Sequence, residues 1–253
     1  MKRFLSLTCF IFIMGFPVMN LNAQDSGSNL AYPSFQALLS LNMGYAHNAD
    51  MDDWAEARGD ALADYYNSVT GTSDFDSENS TGKFTYGIDA ELRFFSDALG
   101  FGAGSGYNMC KSEAKVTGSG WVDEGTYTLT LGVVPVIGTV YYRSAIDNNS
   151  FLLFGAGIGY YMASMNAKYD DKDTINTTTG YDYDFDTSTI GYHLKCEYDL
   201  ILGNFFLSAG VLARYVEFDK FKDNGVTIIM NNGDNLGAGL TGATVYLAAG
   251  IAI

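Results

Sequence analysis

The chain has 253 residues, with 14 Lys and Arg against 29 Asp and Glu. The length suits one large all-β domain or two small domains, and a net charge of −15 repels phosphate backbones, which disfavours a nucleic-acid ligand. After the first residues no run of about 18 apolar residues occurs, which excludes a helical membrane protein.

Lys2 and Arg3 precede an apolar run from Phe4 to Met19, and the small residue Ala23 stands before Gln24 and Asp25. Residues 1–23 therefore read as a secretory signal peptide cleaved after Ala23. The apolar run is too short to span a bilayer, which takes about 20 residues. Cys9 lies inside that run, where it does not suit lipid modification. The mature chain keeps Cys110 and Cys196 in a compartment that permits disulfides.

The dominant signal further on is period-two alternation, in segments of about ten residues or more between polar stretches. In the first segment Phe35, Ala37, Leu39, Leu41, Met43 and Tyr45 share one face, and Gln36, Ser40, Asn42 and Gly44 share the other. A helix is expected over residues 53–67, from the spacing of Trp54, Ala57, Ala61, Leu62 and Tyr65, with Asp53 and Glu56 as a capping box. The second segment sets Phe84, Tyr86, Ile88, Ala90, Leu92 and Phe94 against Lys83, Thr85, Gly87, Asp89, Glu91 and Arg93.

The third segment, Leu99 to Lys111, carries a stripe of Gly102, Gly104 and Gly106, and the fifth, Phe151 to Tyr169, carries Gly155, Gly157 and Gly159. Glycine relieves crowding where a narrow barrel curves around its own lumen side chains. The fourth, Thr126 to Arg143, contains Pro135, and a proline inside a strand implies a bulge there. The sixth sets Ile190, Tyr192, Leu194, Cys196, Tyr198 and Leu200 against Thr189, Gly191, His193, Lys195, Glu197 and Asp199. The seventh sets Phe205, Leu207, Ala209, Val211, Ala213 and Tyr215 against Ser208, Gly210 and Arg214. The eighth runs from Gly239 to Ile253.

Connections alternate in length: Asn48 to Gly82, Ser112 to Gly125, Asp170 to Asp184 and Lys220 to Leu236 are long, and those at Ser96 to Ala98, Ser144 to Ser150 and Gly203 to Asn204 are short. Outer-membrane barrels have long outer loops and short periplasmic turns. The expectation is an all-β, eight-stranded antiparallel up-and-down transmembrane β-barrel over residues 35–253, after a short periplasmic segment at 24–34. Tyr45, Phe94, Phe95, Tyr107, Tyr141, Tyr142, Tyr160, Tyr161 and Tyr198 are expected in interfacial girdles.

The signal peptide, the eight-strand meander, and the stretches Val134, Pro135, Val136 to Tyr141, Tyr142 and Leu153 to Tyr161 resemble the small outer-membrane β-barrel families, OmpW-like, OmpX-like and opacity-type. That resemblance implies a location in the cell outer membrane, among lipid and lipopolysaccharide.

Lys83, Asp89, Glu91, Arg93, His193, Lys195, Glu197, Asp199 and Arg214 all fall on expected lumen faces. Such a set is either a paired polar core that plugs the barrel or the lining of a narrow conduit, and the small lumen of eight strands favours the plug. His47 and His193 have no metal-type spacing with other ligands. Ser188 and His193 differ in face, so no nucleophile and base are paired and no enzyme is expected. Asp170, Asp171, Asp173, Asp182, Asp184 and Asp186 lack the Asp-x-Asp-x-Asp-Gly order of a Ca²⁺ loop and read as solvated acid. Gly155, Gly157 and Gly159 precede no helix and make no nucleotide loop. No cofactor is implied. The functional expectation is a monomeric barrel with a structural or surface-interaction role through acidic outer loops towards an extracellular protein or matrix partner. The alternative is a small passive channel for ions or hydrophobic solutes.

Overall fold

Alternation of this kind commits each strand to one buried and one outward face, and eight such strands close on themselves. The computed structural model describes residues 34–47, 49–80, 84–118, 124–172, 181–223, 225–228 and 235–252, all within one unit, Ala31–Ile253. The signal peptide and Lys83 lie outside the described residues. In chain order the elements are β1 (Phe35–His47), α1 (Ala49–Thr70), β2 (Phe75–Ser80), β3 (Phe84–Ser96), β4 (Leu99–Gly118), β5 (Glu124–Ala145) and β6 (Ser150–Lys172). There follow β7 (Tyr181–Leu202), β8 (Phe205–Tyr215), the two-residue strands β9 (Glu217–Phe218), β10 (Lys222–Asp223), β11 (Val226–Thr227) and β12 (Ala238–Gly239), and finally β13 (Thr241–Ala252).

The ring runs β1, β3, β4, β5, β6, β7, β8, β13 and back to β1, every neighbour antiparallel. It is an all-β, eight-stranded up-and-down barrel. Closure pairs the backbone donors and acceptors that an open sheet would leave at its edges. Outward positions are apolar and exposed, as at Leu41 (67%), Met43 (64%) and Leu247 (69%), while their inward neighbours Asn42, Gln36 and Tyr246 are buried. No described helix is long and apolar enough to cross a membrane.

Pro135 makes no bulge. The β4–β5 ladder pairs Ser105 with Val136 and Asn108 with Val133, one constant register on both sides of the proline, and β5–β6 runs unbroken through Pro135 opposite Tyr161. The ring nitrogen forfeits one ladder bond without adding a residue, and Ser105 Oγ donates to the Pro135 carbonyl at 2.8 Å.

At one end the turns are tight. Asp97 (φ 54°) and Gly203 (φ 68°) take left-handed backbone there, and Gly203 does so without a side-chain penalty. The third turn is fastened by Asp147, whose Oδ1 accepts the Asn149 N–H and the Ser150 hydroxyl, both at 2.8 Å. At the other end β4 to β7 rise as a tall flank, 20 to 23 residues each against 11 to 13 for the other barrel strands. So β4 continues past its pairing with β3, which ends at Cys110, as far as Gly118, and β5 to β7 extend with it. Much of what reads as second and third loop is therefore strand: the connections shrink to 119–123 and 173–180, and Asp184 and Asp186 sit on β7.

The first connection is also more ordered than expected. Its helix spans Ala49–Thr70 rather than 53–67, so Asp53 and Glu56 lie inside it and cap nothing. Acidic residues nevertheless suit its first turns, where the backbone dipole is positive. The face it buries is Met51, Trp54, Ala55 and Ala63, whereas Ala57, Ala61 and Tyr65 are exposed. Gly71 (φ 70°) ends it, donating to the Asn67 carbonyl at 2.9 Å in the left-handed C-terminal cap that glycine favours. Asn67 then clasps Phe75 through two bonds of 3.0 Å, one in each direction, and β2 adds itself to β4 from Phe75 opposite Gly118 to Ser80 opposite Glu113.

Met51, Trp54 and Ala55 press into an apolar cluster with Leu129, Leu131, Met165, Phe185, Phe218, Phe221 and Leu236. This closes the mouth of the barrel. The fourth connection supplies Phe218, Phe221 and Leu236, its backbone held by Leu236 N–H to Ile228 O at 3.0 Å and Ile228 N–H to Phe221 O at 2.9 Å.

Candidate functional site

The lumen charges meet in two groups. Arg93 on β3 donates from Nη1 to Glu197 Oε1 at 2.5 Å and from Nη2 to Oε2 at 2.8 Å, and its Nε and Nη2 reach Glu91 Oε2 at 3.2 and 3.0 Å. Lys195 on β7 donates to the same Glu91 oxygen at 2.8 Å. Tyr141 on β5 donates to Glu91 Oε1 at 2.5 Å, and Tyr246 on β13 donates to Glu197 Oε2. In the strand ring β3 faces β7 and β5 faces β13, so one diameter carries the ion pairs and the other the two tyrosines. The Arg93 guanidinium also lies 4.7 Å from the Tyr141 ring centre.

Glycines make this cross fit. A methyl at Gly155 would stand 2.8 Å from the Tyr141 ring, and one at Gly210 would stand 2.7 Å from the Tyr246 ring. These are closer than carbon atoms approach without a shift, so the small residues are the space the tyrosines occupy. Asp199 accepts Ser208 Oγ at 2.5 Å and lies 3.9 Å from Arg93 Nη1.

The second group centres on Asp89, which accepts Arg214 Nη2 at 3.0 Å, Asn42 Nδ2 at 2.7 Å and Asn108 Nδ2 at 3.1 Å. Arg214 Nη1 donates to Asn108 Oδ1 at 2.7 Å. His193 is buried with Nε2 at 2.9 Å from Thr139 Oγ1. All the anticipated lumen residues that are described thus face inward, and Arg93, Glu91, Glu197, Lys195 and Asp199 come together while Asp89 and Arg214 pair separately. Apolar layers enclose them: Phe95, Tyr141, Phe151 and Leu153 towards the tight turns, and the mouth cluster above.

Sequence reasoning missed the tyrosines. Tyr141, Tyr161 and Phe95 were expected in the outer girdles, yet all three are buried in the lumen, while Tyr142, Tyr160 and Phe94 point outward. Two consecutive aromatics in a strand cannot share a face, so each pair contains one lumen residue, and that signal was present. Cys110 is buried inside and Cys196 is on the outer face; no disulfide joins them.

A second concavity lies outside the mouth, between α1 and the tall flank. It encloses about 530 Å³, with Trp54, Tyr127, Tyr183 and Phe185 among its walls and Arg58 and Asp223 at its polar positions.

These features define an eight-stranded barrel with a filled lumen. No protein-family model matches the chain, and no curated protein matches it. Among solved structures it is similar to Ail, the attachment invasion locus protein of Yersinia pestis, crystallised in complex with the heparin analogue sucrose octasulfate. That match has 10% identity, covers 87% of this chain and 99% of the other, and has a TM-score of 0.30. So loose a superposition adds nothing to what the strand ladders show.

Proposed function

We propose that the protein is a monomeric outer-membrane β-barrel whose lumen is a structural plug and whose work is done at its tall end, towards an extracellular partner. The observation that carries this reading is the contrast between its two faces. Outward lie exposed leucine, isoleucine, valine and aromatic side chains on all eight barrel strands, an apolar surface far larger than soluble monomers leave uncovered. Inward, Glu91 and Glu197 accept hydrogen bonds at every carboxylate oxygen, and apolar layers seal both sides of the network. A surface of the first kind belongs in lipid, and a lumen of the second kind leaves little for a conduit to use. What remains for interaction is α1, the tall flank and the connections between them. No catalytic role forms part of the proposal.

The test is to refold the mature chain in detergent, compare its gel migration with and without boiling, and record single-channel conductance. Boiling-dependent migration without conductance supports the reading. A chain soluble without detergent overturns the membrane assignment, and steady conductance by the monomer replaces the plug with a channel.

A further inference from the structure

We infer that the cleft between α1 and the tall flank binds a neutral, flat-ringed oligosaccharide; this rests on reading the tall end as the working surface. Its volume of about 530 Å³ falls in the range of roughly 300–1,000 Å³ usual for ligand pockets. Trp54 and Phe185 are buried at its base and pack edge-on, ring centres 6.3 Å apart. Tyr183 lies parallel to Phe185 within 5° and is half exposed. Tyr183 and Tyr65 are the exposed rings of the cleft; such ring faces suit the C–H face of a pyranose, and their hydroxyls suit its rim.

The polar groups decide the charge of the ligand. Arg58 holds its guanidinium 5.4 Å from the Trp54 ring centre and makes no ion pair among the described residues. A cationic ligand would seek that aromatic face, but a fixed cation already occupies it. An anionic ligand would pair with Arg58, but Asp223 lines the same cleft, in a chain of net charge −15. Like charge on that scale opposes a polyanion. A purely apolar ligand would desolvate Arg58 and the tyrosine hydroxyls without giving them partners. Sugar hydroxyls, which donate and accept without charge, satisfy all of these constraints.

The experiment uses the full refolded mature chain with Trp121→Phe, so that Trp54 is the remaining tryptophan. Maltohexaose, cellohexaose and xylohexaose are titrated by calorimetry and Trp54 emission, with heparin and tetramethylammonium as charged probes. Saturable binding of at least one neutral hexasaccharide in the millimolar range or tighter is expected, with loss of about tenfold in affinity on Tyr183→Ala and a similar loss on Arg58→Gln. The proposal is overturned if none of the three binds, if only a charged probe binds, or if Tyr183→Ala binds unchanged. Boiling-dependent migration of each variant is recorded on the same samples, so failure of the barrel is seen separately, and detergent leaves both ends accessible, so a reversed orientation would not hide binding.

Discussion

Arg93 and Glu197 join opposite walls of the barrel through two parallel hydrogen bonds, across 104 residues of sequence. Strand β3 lies four places from β7 in either direction around the ring, so the pair is a strut along a diameter. A strut of two buried charges is not by itself a gain in stability, because desolvation offsets most of the attraction. Removing one end is different, since the other charge is left buried and unpaired. Arg93→Leu or Glu197→Leu should each cost about 3–5 kcal/mol, read as a lower unfolding temperature in detergent. The double variant should recover much of that loss. If the two losses simply add, the pair is not a coupled unit.

Glu91 ties Arg93, Lys195 and Tyr141 to one carboxylate. Glu91→Ala should therefore destabilise more than Lys195→Ala, which leaves Glu91 with Arg93 and Tyr141. Neither should open a large conductance, because Tyr141 and Tyr246 still fill the perpendicular diameter. An altered ion selectivity with unchanged stability in either variant would mean that the lumen is a wet pathway.

The closed barrel and the inward set of charges were legible because period two leaves no freedom: once Leu39 and Leu41 point out, Asn42 must point in. The tall flank was not legible in the same way. Asp170, Asp184 and Asp186 look like loop because acids so closely spaced read as solvated chain, yet Asp184 and Asp186 occupy one exposed face of β7 and alternate with Phe185, which is buried in the mouth cluster. The extent of α1 was blurred by its acid-rich first turns, where several residues imitate a cap. Aromatic residues near strand ends suit a girdle, and only the parity of Tyr141 against Tyr142 assigns Tyr141 to the lumen.

Cys196 points outward from β7 and Cys110 inward from β4, and bridged cysteines need Cα atoms within about 7 Å. Intact mass of the mature protein should show two thiols. A nitroxide on Cys196 should be relaxed by oxygen in the bilayer far more than by a water-soluble nickel chelate. The reverse would remove that face from lipid.

Asp147 gives a pH signature confined to one tight turn. The Asn149 N–H and the Ser150 hydroxyl hold its carboxyl below the usual range. A carboxyl depressed by folding stabilises above its unfolded value, near 3.9, and that contribution is lost as pH falls through the folded value. Carboxyl carbon shifts of Asp147 should titrate below those of an unfolded aspartate, and the Asn149 amide should shift with the same midpoint. A midpoint at or above the unfolded value would mean the turn is not fastened this way.

Orientation is tested through the connections. Gly71 follows α1, is exposed, and has open space where a side chain would stand, and such exposed tips tolerate insertion. An epitope placed after Gly71 should be recognised by antibody on intact cells, because the connection from α1 to β2 lies on the tall end. One placed within 146–149 should be recognised only after the outer membrane is opened. Insertion at either point leaves the barrel ladders untouched, so boiling-dependent migration should survive in both. Detection of the 146–149 epitope on intact cells would invert the barrel and put α1 and its cleft on the periplasmic side.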